Sequence, residues 1–388
     1  MAGPLSHLKI LDLSRVLAGP WSTQFLADLG AEVVKVERPE VGDDTRSWGP
    51  PYIQADMAAY FTCCNRGKKS IAVDFTTPEG AELVRRLVLE ADILVENFKR
   101  GGLEKYGLDY ASLKAIKPDL IYCSITGFGQ TGPYADRAGY DLIIQAMGGL
   151  MSVTGEPDTV PGGGPIKSGV AVADLFTGMY AVSGMLAAIV HRDRTGEGQQ
   201  IDVALLDVQV AMLGNLATNY FATGNVPRRW GNAHPNLCPY QSFAVADGHL
   251  IVGCGNDGQF QRLCEVAGRP DLARDPRFAG TRQRVENRPE LIPILEAIMR
   301  TQDRAWWIER LEAAGVPCGP INTIDEVFAD PQVIARELRR DLSLADGTPV
   351  ATVANPLKFS ATPLGPWQGP PMLDQHGDEI RAGLEGGG

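Results

Sequence analysis

LKILDLSRVLAGPWSTQFLADLGAEVVKVE, residues 8–37, carries the reading of the fold. LKILDL at 8–13 is an apolar run of strand length. Residues 21–29 follow with helical spacing and stop at Gly30, which sits where a left-handed residue closes a helix. EVVKVE at 32–37 is a second strand, rich in Val. A strand, a helix and a further strand within thirty residues are the unit of a parallel sheet, because parallel strands need a crossover.

The pattern continues downstream. SIAVDF at 70–75 reads as a strand. Thr77-Pro78-Glu79 opens a helix, with a hydroxyl cap, a proline at the first helical position and an acid in the first turn; it runs to about Glu90. Residues 93–95 are a strand, 110–116 a helix, 120–125 a strand and 201–205 another. An apolar helix spans 175–190 behind the Gly/Pro loop 154–168, and a helix covers 207–221. Beyond a turn-rich connector at 223–240, a hairpin (241–246 and 249–252) crosses Asp247-Gly248, and several helices reach about 338. The tail from 349 returns to strand and irregular structure. The expected fold is α/β: a large, mostly parallel, Rossmann-like domain from residues 1–222 and 330–388, and a smaller α+β domain from 223–329.

Of the 388 residues, 44% are apolar and 21% charged, as in a globular chain. The net charge of −11 argues against a nucleic-acid or anionic-membrane surface. An anionic ligand must then meet a local basic cluster. Seven cysteines, never spaced Cys-x-x-Cys, fit neither a disulfide framework nor a zinc site. The five histidines show no metal spacing. Charges at Lys9, Asp12 and Arg15 interrupt any leader-like apolar run, and 175–190 is short for a membrane span. The expectation is a cytoplasmic protein that takes no metal and meets neither membrane nor nucleic acid.

Two segments match G-x-G-x-x-G, at 127–132 and 253–258. Neither has the helix and acid-terminated strand that a dinucleotide site needs, so they read as strand-end turns. Phosphate-loop and nucleophile-elbow signatures are missing. His191, ending the apolar helix, reads as a partner of the helix dipole. His234 lies in a polar, permissive loop that suits a ligand-facing role. Arg38, Arg66 to Lys69, Lys99-Arg100 and Lys105 gather at strand ends, where open α/β sheets bind ligands. With Phe98 beside them they suit a polyphosphate carrying a stacking base. Asp174 is the only charge between Lys167 and His191. It reads either as the cap of the apolar helix or as a carboxylate held for chemistry beside backbone amides.

Ordered blocks over the first 175 residues resemble the class III CoA-transferase family, which includes formyl-CoA and carnitine CoA-transferases. These blocks are residues 11–20, 28–37, 65–70, 95–98, 126–133 and 172–174. The resemblance implies a Rossmann-like large domain and a small domain in an interlocked homodimer. It implies coenzyme A as substrate and carrier without a prosthetic group, and Asp174 as the nucleophile. It assigns Arg38, Val73, Asp74, Phe75, Asn97, Phe98, Lys99, Lys105, Arg137 and Tyr140 to coenzyme A. Segments 42–51, 137–141 and 229–241 are most similar to the dicarboxylate branch, the succinyl-CoA:glutarate CoA-transferases. That branch implies acyl-CoA and carboxylic acid substrates, with Arg15, Val16, Leu17, Arg46, Trp48 and His234 around the acids. Arg15 or Arg46 would hold the distal carboxylate; the competing reading of Arg46 is an ion pair with Asp43 or Asp44. Leu17 stands where formyl-CoA transferase has glutamine, against oxalate and formyl-CoA as substrates. The sister α-methylacyl-CoA racemases, the alternative reading, carry a histidine where this chain has Tyr140. A phenol with its proton held to about pH 10 cannot shuttle protons as imidazole does.

Overall fold

Strand register follows from where the apolar side chains must go. In the computed structural model, which describes residues 3–55, 57–365 and 367–386, β1 (Lys9–Asp12) pairs in parallel with β2 (Glu32–Glu37). On the other side β1 pairs in parallel with a strand some eighty residues on, Ile10 facing Ile93. The pleat sends Ile10 to one face and Leu11 to the other, and both are buried. With a helix layer on each side, both faces are apolar and the strands read as near-continuous hydrophobic runs.

α1 (Ala18–Asp28) lies between β1 and β2, and after β2 come β3 (Lys69–Ala72), α2 (Pro78–Glu90), β4 (Ile93–Glu96), α3 (Tyr110–Ile116) and β5 (Ile121–Thr126). Then come α4 (Asp141–Met147), α5 (Val172–Thr195), β6 (Gln200–Ala204) and α6 (Leu205–Ala211). The six strands form one sheet in the order β3-β2-β1-β4-β5-β6, parallel throughout. One face packs on α1 and α5 through Leu26, Val182 and Met185. The other packs on α2 and α3 through Val84, Leu87 and Leu113. Each such fully buried aliphatic side chain contributes about 1.5–3 kcal/mol. Thr77 caps α2 by accepting from the Gly80 amide, as its sequence announces.

The chain divides into two units. The first comprises Met1–Leu150, Ser168–Ala222 and Pro331–Gly388; the second, Met151–Lys167 and Thr223–Asp330. Ser168 of the Gly/Pro loop clusters with the first unit, whereas residues 154–167, which the sequence reading places in the large domain, cluster with the second. There Gly231 N–H donates to Gly155 O, and the Arg229 guanidinium holds Ser152 O and Glu156 O. The second unit has an antiparallel sheet of β7 (Tyr240–Val245), β8 (Gly248–Gly253) and β9 (Cys318–Pro320). Helices cover it around Phe243, Phe260 and Trp307, whose indole N–H donates to Met299 O.

Three helical expectations change. The 207–221 helix is two: α6 ends at Ala211 and the next begins at Gly214, whose φ of +50° turns the chain. His191 does not end the apolar helix, which runs on to Thr195 with Arg192 and Arg194 in its last turn. With 24 residues α5 is also long and apolar enough to cross a membrane by length and composition. Its buried face packs on α1, β5, β6 and α6 inside the first unit, and the core helix of a soluble protein passes the same test.

Candidate active site

The strand order reverses at β1 and β4: the chain winds one way from the first and the opposite way from the second. A crevice opens beyond the carboxyl ends of strands at such a point. The segments leaving β1 and β4, residues 13–17 and 97–98, line two cavities there, of about 260 and 250 Å3. Arg15 and Phe98 belong to the walls of both.

The first cavity gathers Arg38, Val73, Asp74, Phe75, Phe98 and Lys105. Phe75 meets Phe98 edge-on at 5.5 Å and Tyr106 at 5.7 Å, and the Lys105 ammonium lies 4.7 Å from the Tyr106 ring. Arg38 pairs with Asp44. Asp74 uses its carboxylate on the amide and hydroxyl of Thr76, which hold its pKa below the ordinary value. An aromatic slot with cations at its rim suits a flat base carrying phosphates.

The second cavity gathers Arg15, Val16, Leu17, Asn97, Phe98, Lys99, Arg137, Tyr140 and Asp174. Asp174 is the third residue of α5, and it is not the cap. Ala171 holds the cap position without a side-chain acceptor. Asp141, at the start of α4, does that work instead: its Oδ1 accepts from the Ala173 amide at 2.9 Å and the Asp174 amide at 3.4 Å. Its Oδ2 accepts from Gln145 Nε2, whose Oε1 in turn accepts from the Ser168 amide. The Asp174 carboxylate is thereby left for the cavity. Burial, then the negative charge of Asp141, push its pKa up to about 7. A more basic carboxylate is a better nucleophile once ionised.

A pH dependence follows. The ionised form reacts, so activity rises as pH passes upward through about 7. Asp141→Asn keeps an oxygen for the Ala173 amide but removes the charge, so the Asp174 pKa falls. The acid limb of kcat/KM then moves to lower pH, read from pH–rate profiles of the two proteins. An unmoved limb contradicts the electrostatic role given to Asp141.

Facing Asp174 is the start of α1. A helix leaves its first amides without internal partners; Leu17 at the cap offers no acceptor and Pro20 no N–H. The amides of Ala18 and Gly19 are thus candidates to stabilise negative charge growing on a carbonyl oxygen. Glycine at 19 lets α1 start close against the turn after β1, because a Cβ there would lie 2.3 Å from the Ser14 side chain. Gly127, from the first glycine motif, serves contact rather than a dinucleotide: its Cβ would fall 2.6 Å from the Gly139 Cα.

Arg46 and Trp48 line neither cavity, and His234 belongs to the other unit. Arg46 is buried and forms two hydrogen bonds of 2.7 Å with Glu37, so it pairs with neither Asp43 nor Asp44 and lines neither cavity. Its guanidinium lies 3.7 Å from the Phe61 ring centroid; its role is to hold the turn after β2. Trp48 packs edge-on against Tyr60 at 5.2 Å, outside both cavities. His234 lies in the second unit, where its Nδ1 accepts from the Asn236 amide. Sequence reasoning missed Tyr60 and Asp141. The Tyr60 hydroxyl is pushed above its ordinary pKa by burial and then by the charge of Asp174, which places it within electrostatic reach of that carboxylate.

These features, a basic carboxylate spared from capping at the switch point beside a cationic, aromatic slot, match what comparison with known proteins finds. The chain belongs to CoA-transferase family III, whose sequence model matches residues 5–377, and it is an enzyme of that class. It is 54% identical to a succinate–glutarate CoA-transferase of Agrobacterium fabrum, over 98% of this chain and 96% of that protein. It is 42% identical to the succinyl-CoA:glutarate CoA-transferase of Homo sapiens, over 97% of this chain and 85% of that one. Among solved structures it is similar to a CAIB/BAIF family protein from Brucella suis, with a TM-score of 0.87 and 54% identity, covering 99% of this chain and all of the other.

Proposed function

We propose that this enzyme moves CoA from succinyl-CoA to a short dicarboxylic acid, glutarate first among them, with Asp174 as the covalent carrier. The observation that carries the reading is Asp174 itself: half-buried, spared from capping, pushed to a pKa of about 7 and set in one cavity with Arg15 and the start of α1. The relatives named for succinate and glutarate supply the acids.

The chemistry balances in four steps. An oxygen of the Asp174 carboxylate attacks the thioester carbonyl; the C–S bond breaks, giving a mixed anhydride and CoA thiolate. The thiolate attacks the aspartyl carbonyl, forming an aspartyl-CoA thioester and releasing succinate. The acceptor carboxylate then attacks that thioester, and the thiolate released attacks the acceptor carbonyl of the new anhydride. This gives the new acyl-CoA and restores Asp174. Only a carboxyl side chain can be anhydride and thioester in turn. Each oxyanion donor contributes about 3–4 kcal/mol to such steps, and the anhydride has to be kept from water to survive. The nucleotide end of CoA belongs in the first cavity, against Arg38, Phe75 and Lys105. The test is succinyl-CoA incubated with glutarate and read by mass spectrometry: glutaryl-CoA is expected, and failure to form any diacid thioester contradicts the assignment.

Arg15 is the reading's receptor for the distal carboxylate. Its guanidinium sits 5.0 Å from the Phe98 ring centroid between the cavities, pairs with Asp44 and leaves Nε without a hydrogen-bond partner. Arg15→Gln should raise KM for the diacid about tenfold, from the loss of a charge-assisted hydrogen bond. Equal KM changes for diacids and monoacids would remove Arg15 from that role.

A homodimer is part of the same reading. Leu142, Ile143 and Met147 on α4, Phe176, Tyr180 and Val190 on α5, and Phe221 beyond α6 are exposed apolar side chains in the single chain, more than a lone soluble surface usually shows. Sedimentation should give twice the chain mass; a monomer at micromolar concentration contradicts it.

A further inference from the structure

Five residues, 13–17, join β1 to α1 without regular structure, yet the backbone groups of the middle three are all held by side chains. Ser14 N–H donates to Asp12 Oδ1 at 2.9 Å, and Ser14 O accepts from Lys35 Nζ at 2.8 Å. Arg15 N–H donates to Asn97 Oδ1 at 2.8 Å, and Arg15 O accepts from Asn97 Nδ2 at 2.6 Å. Val16 N–H donates to Asp43 Oδ1 at 3.3 Å, and Val16 O accepts from Cys64 Sγ at 3.5 Å. Val16 itself has φ of +72°, a left-handed conformation that a β-branched residue rarely adopts. Such backbone persists only where its surroundings over-determine it. Here they do, and the residue so held lines the cavity of Asp174.

Two of these holding groups form a pair. Lys35 Nζ and Asp43 Oδ2 lie 2.9 Å apart, both side chains wholly buried. Asp43 further accepts from the amide and hydroxyl of Thr45, and its own amide donates to Glu37. A buried ion pair is a poor source of stability, since an apolar pair of the same volume often does as well or better. What this pair does uniquely is fix a carbonyl and an amide two residues apart, on either side of Arg15, immediately before the uncapped start of α1.

We propose that Lys35 and Asp43 are positioning residues of the transfer reaction. Their ion pair, reached through Ser14 O and Val16 N–H, keeps Val16 left-handed and aims the first amides of α1 at the carbonyl that Asp174 attacks. The proposal rests on the reading of Asp174 as nucleophile. It adds two residues whose wholly buried side chains stand behind the wall of the first cavity and outside that of Asp174, and a function for the strain at Val16. Misplacement of oxyanion donors by an ångström or less is enough to slow such a step strongly.

The test compares Asp43→Asn, Lys35→Met and the double variant with the parent enzyme. Readouts are thermal stability, CoA affinity by calorimetry, and the single-turnover rate of acyl transfer to Asp174. Asp43→Asn strands a buried ammonium and should lower both Tm and rate. The double variant removes both charges, so Tm should recover in part, Lys35 having also offset the charges of Asp12 and Glu37, whereas the single-turnover rate should stay about 10- to 100-fold below the parent with CoA affinity within about threefold. A double variant that recovers stability and rate together overturns the positioning role, as does one whose rate loss is matched by lost CoA affinity. Should the single variants fail to fold, the double variant decides alone. Absence of any Asp174 adduct in the parent enzyme would instead overturn the functional reading, so the two failures are distinguishable.

Discussion

Asp174→Ala should lower CoA transfer by roughly four to six orders of magnitude, the scale seen when a covalent nucleophile is removed, while CoA still binds. The first cavity, where the nucleotide is placed, contains no atom of Asp174, so affinity for free CoA has no reason to fall. The substitution has a second expected result, in stability. The Asp174 carboxyl is raised from 3.8 to about 7, chiefly by burial and then by Asp141. Between those two values the folded protein holds a proton that the unfolded chain has released, so stability falls as pH rises through that window and is lowest above it. Removing the carboxyl lifts this penalty, up to roughly 4 kcal/mol for a shift of that size. Asp174→Asn should therefore melt higher than the parent at pH 8 and equally at pH 4. A site residue that destabilises its own fold is the mark of a group kept for chemistry.

The second large effect is expected at Lys68. Its ammonium is wholly buried and donates to Asp12 Oδ2 at 3.0 Å, Pro20 O at 2.9 Å and Asn65 Oδ1 at 2.8 Å. Burial alone would raise the Asp12 pKa; Lys68 and Lys35, with the hydroxyls of Ser14 and Thr23, overcome it and hold the carboxyl at about 2. Lys68→Met strands that carboxylate beneath β1 and α1, at a cost of about 3–5 kcal/mol. Tm should drop by at least about 5 °C, with partial recovery in the double variant Lys68→Met/Asp12→Asn. Because the Asp12 pKa is depressed, its contribution is complete above about pH 4 and is lost as pH falls toward 2. The difference between parent and variant should shrink over that range. A Lys68→Met protein that melts with the parent at pH 7 contradicts the burial of this pair.

The sheet was legible because its signals are local. The strand at 32–37 and the helix at 78–90 fall where their Val runs, Thr77 cap and Pro78 put them, and Gly30 has the expected left-handed φ of +99°. The cationic strand ends were legible for the same reason, since residues leaving parallel strands converge on one edge. What stayed hidden depends on tertiary partners. Asp174 satisfied every local rule for a cap, and only Asp141, 33 residues earlier, shows that the cap is filled from outside. Arg46 read either as the cation for the distal carboxylate or as a partner of Asp43 or Asp44, because its actual partner, Glu37, lies across a turn at the end of β2. Tyr60 sits in a stretch without clear periodicity, and nothing local links it to Asp174. Residues 154–167 gave no sign of the unit they join, because their anchors, Arg229 and Gly231, lie some 70 residues away in the chain.

The central claim is that one side chain, Asp174, becomes acylated and then thioesterified in every turnover. The most direct measurement incubates the enzyme with succinyl-CoA, quenches with hydroxylamine and sequences the peptides by mass spectrometry. A hydroxamate on Asp174, formed in proportion to enzyme and lost when glutarate is added first, is the expected result. An unmodified Asp174 peptide from enzyme that is still making product would contradict it.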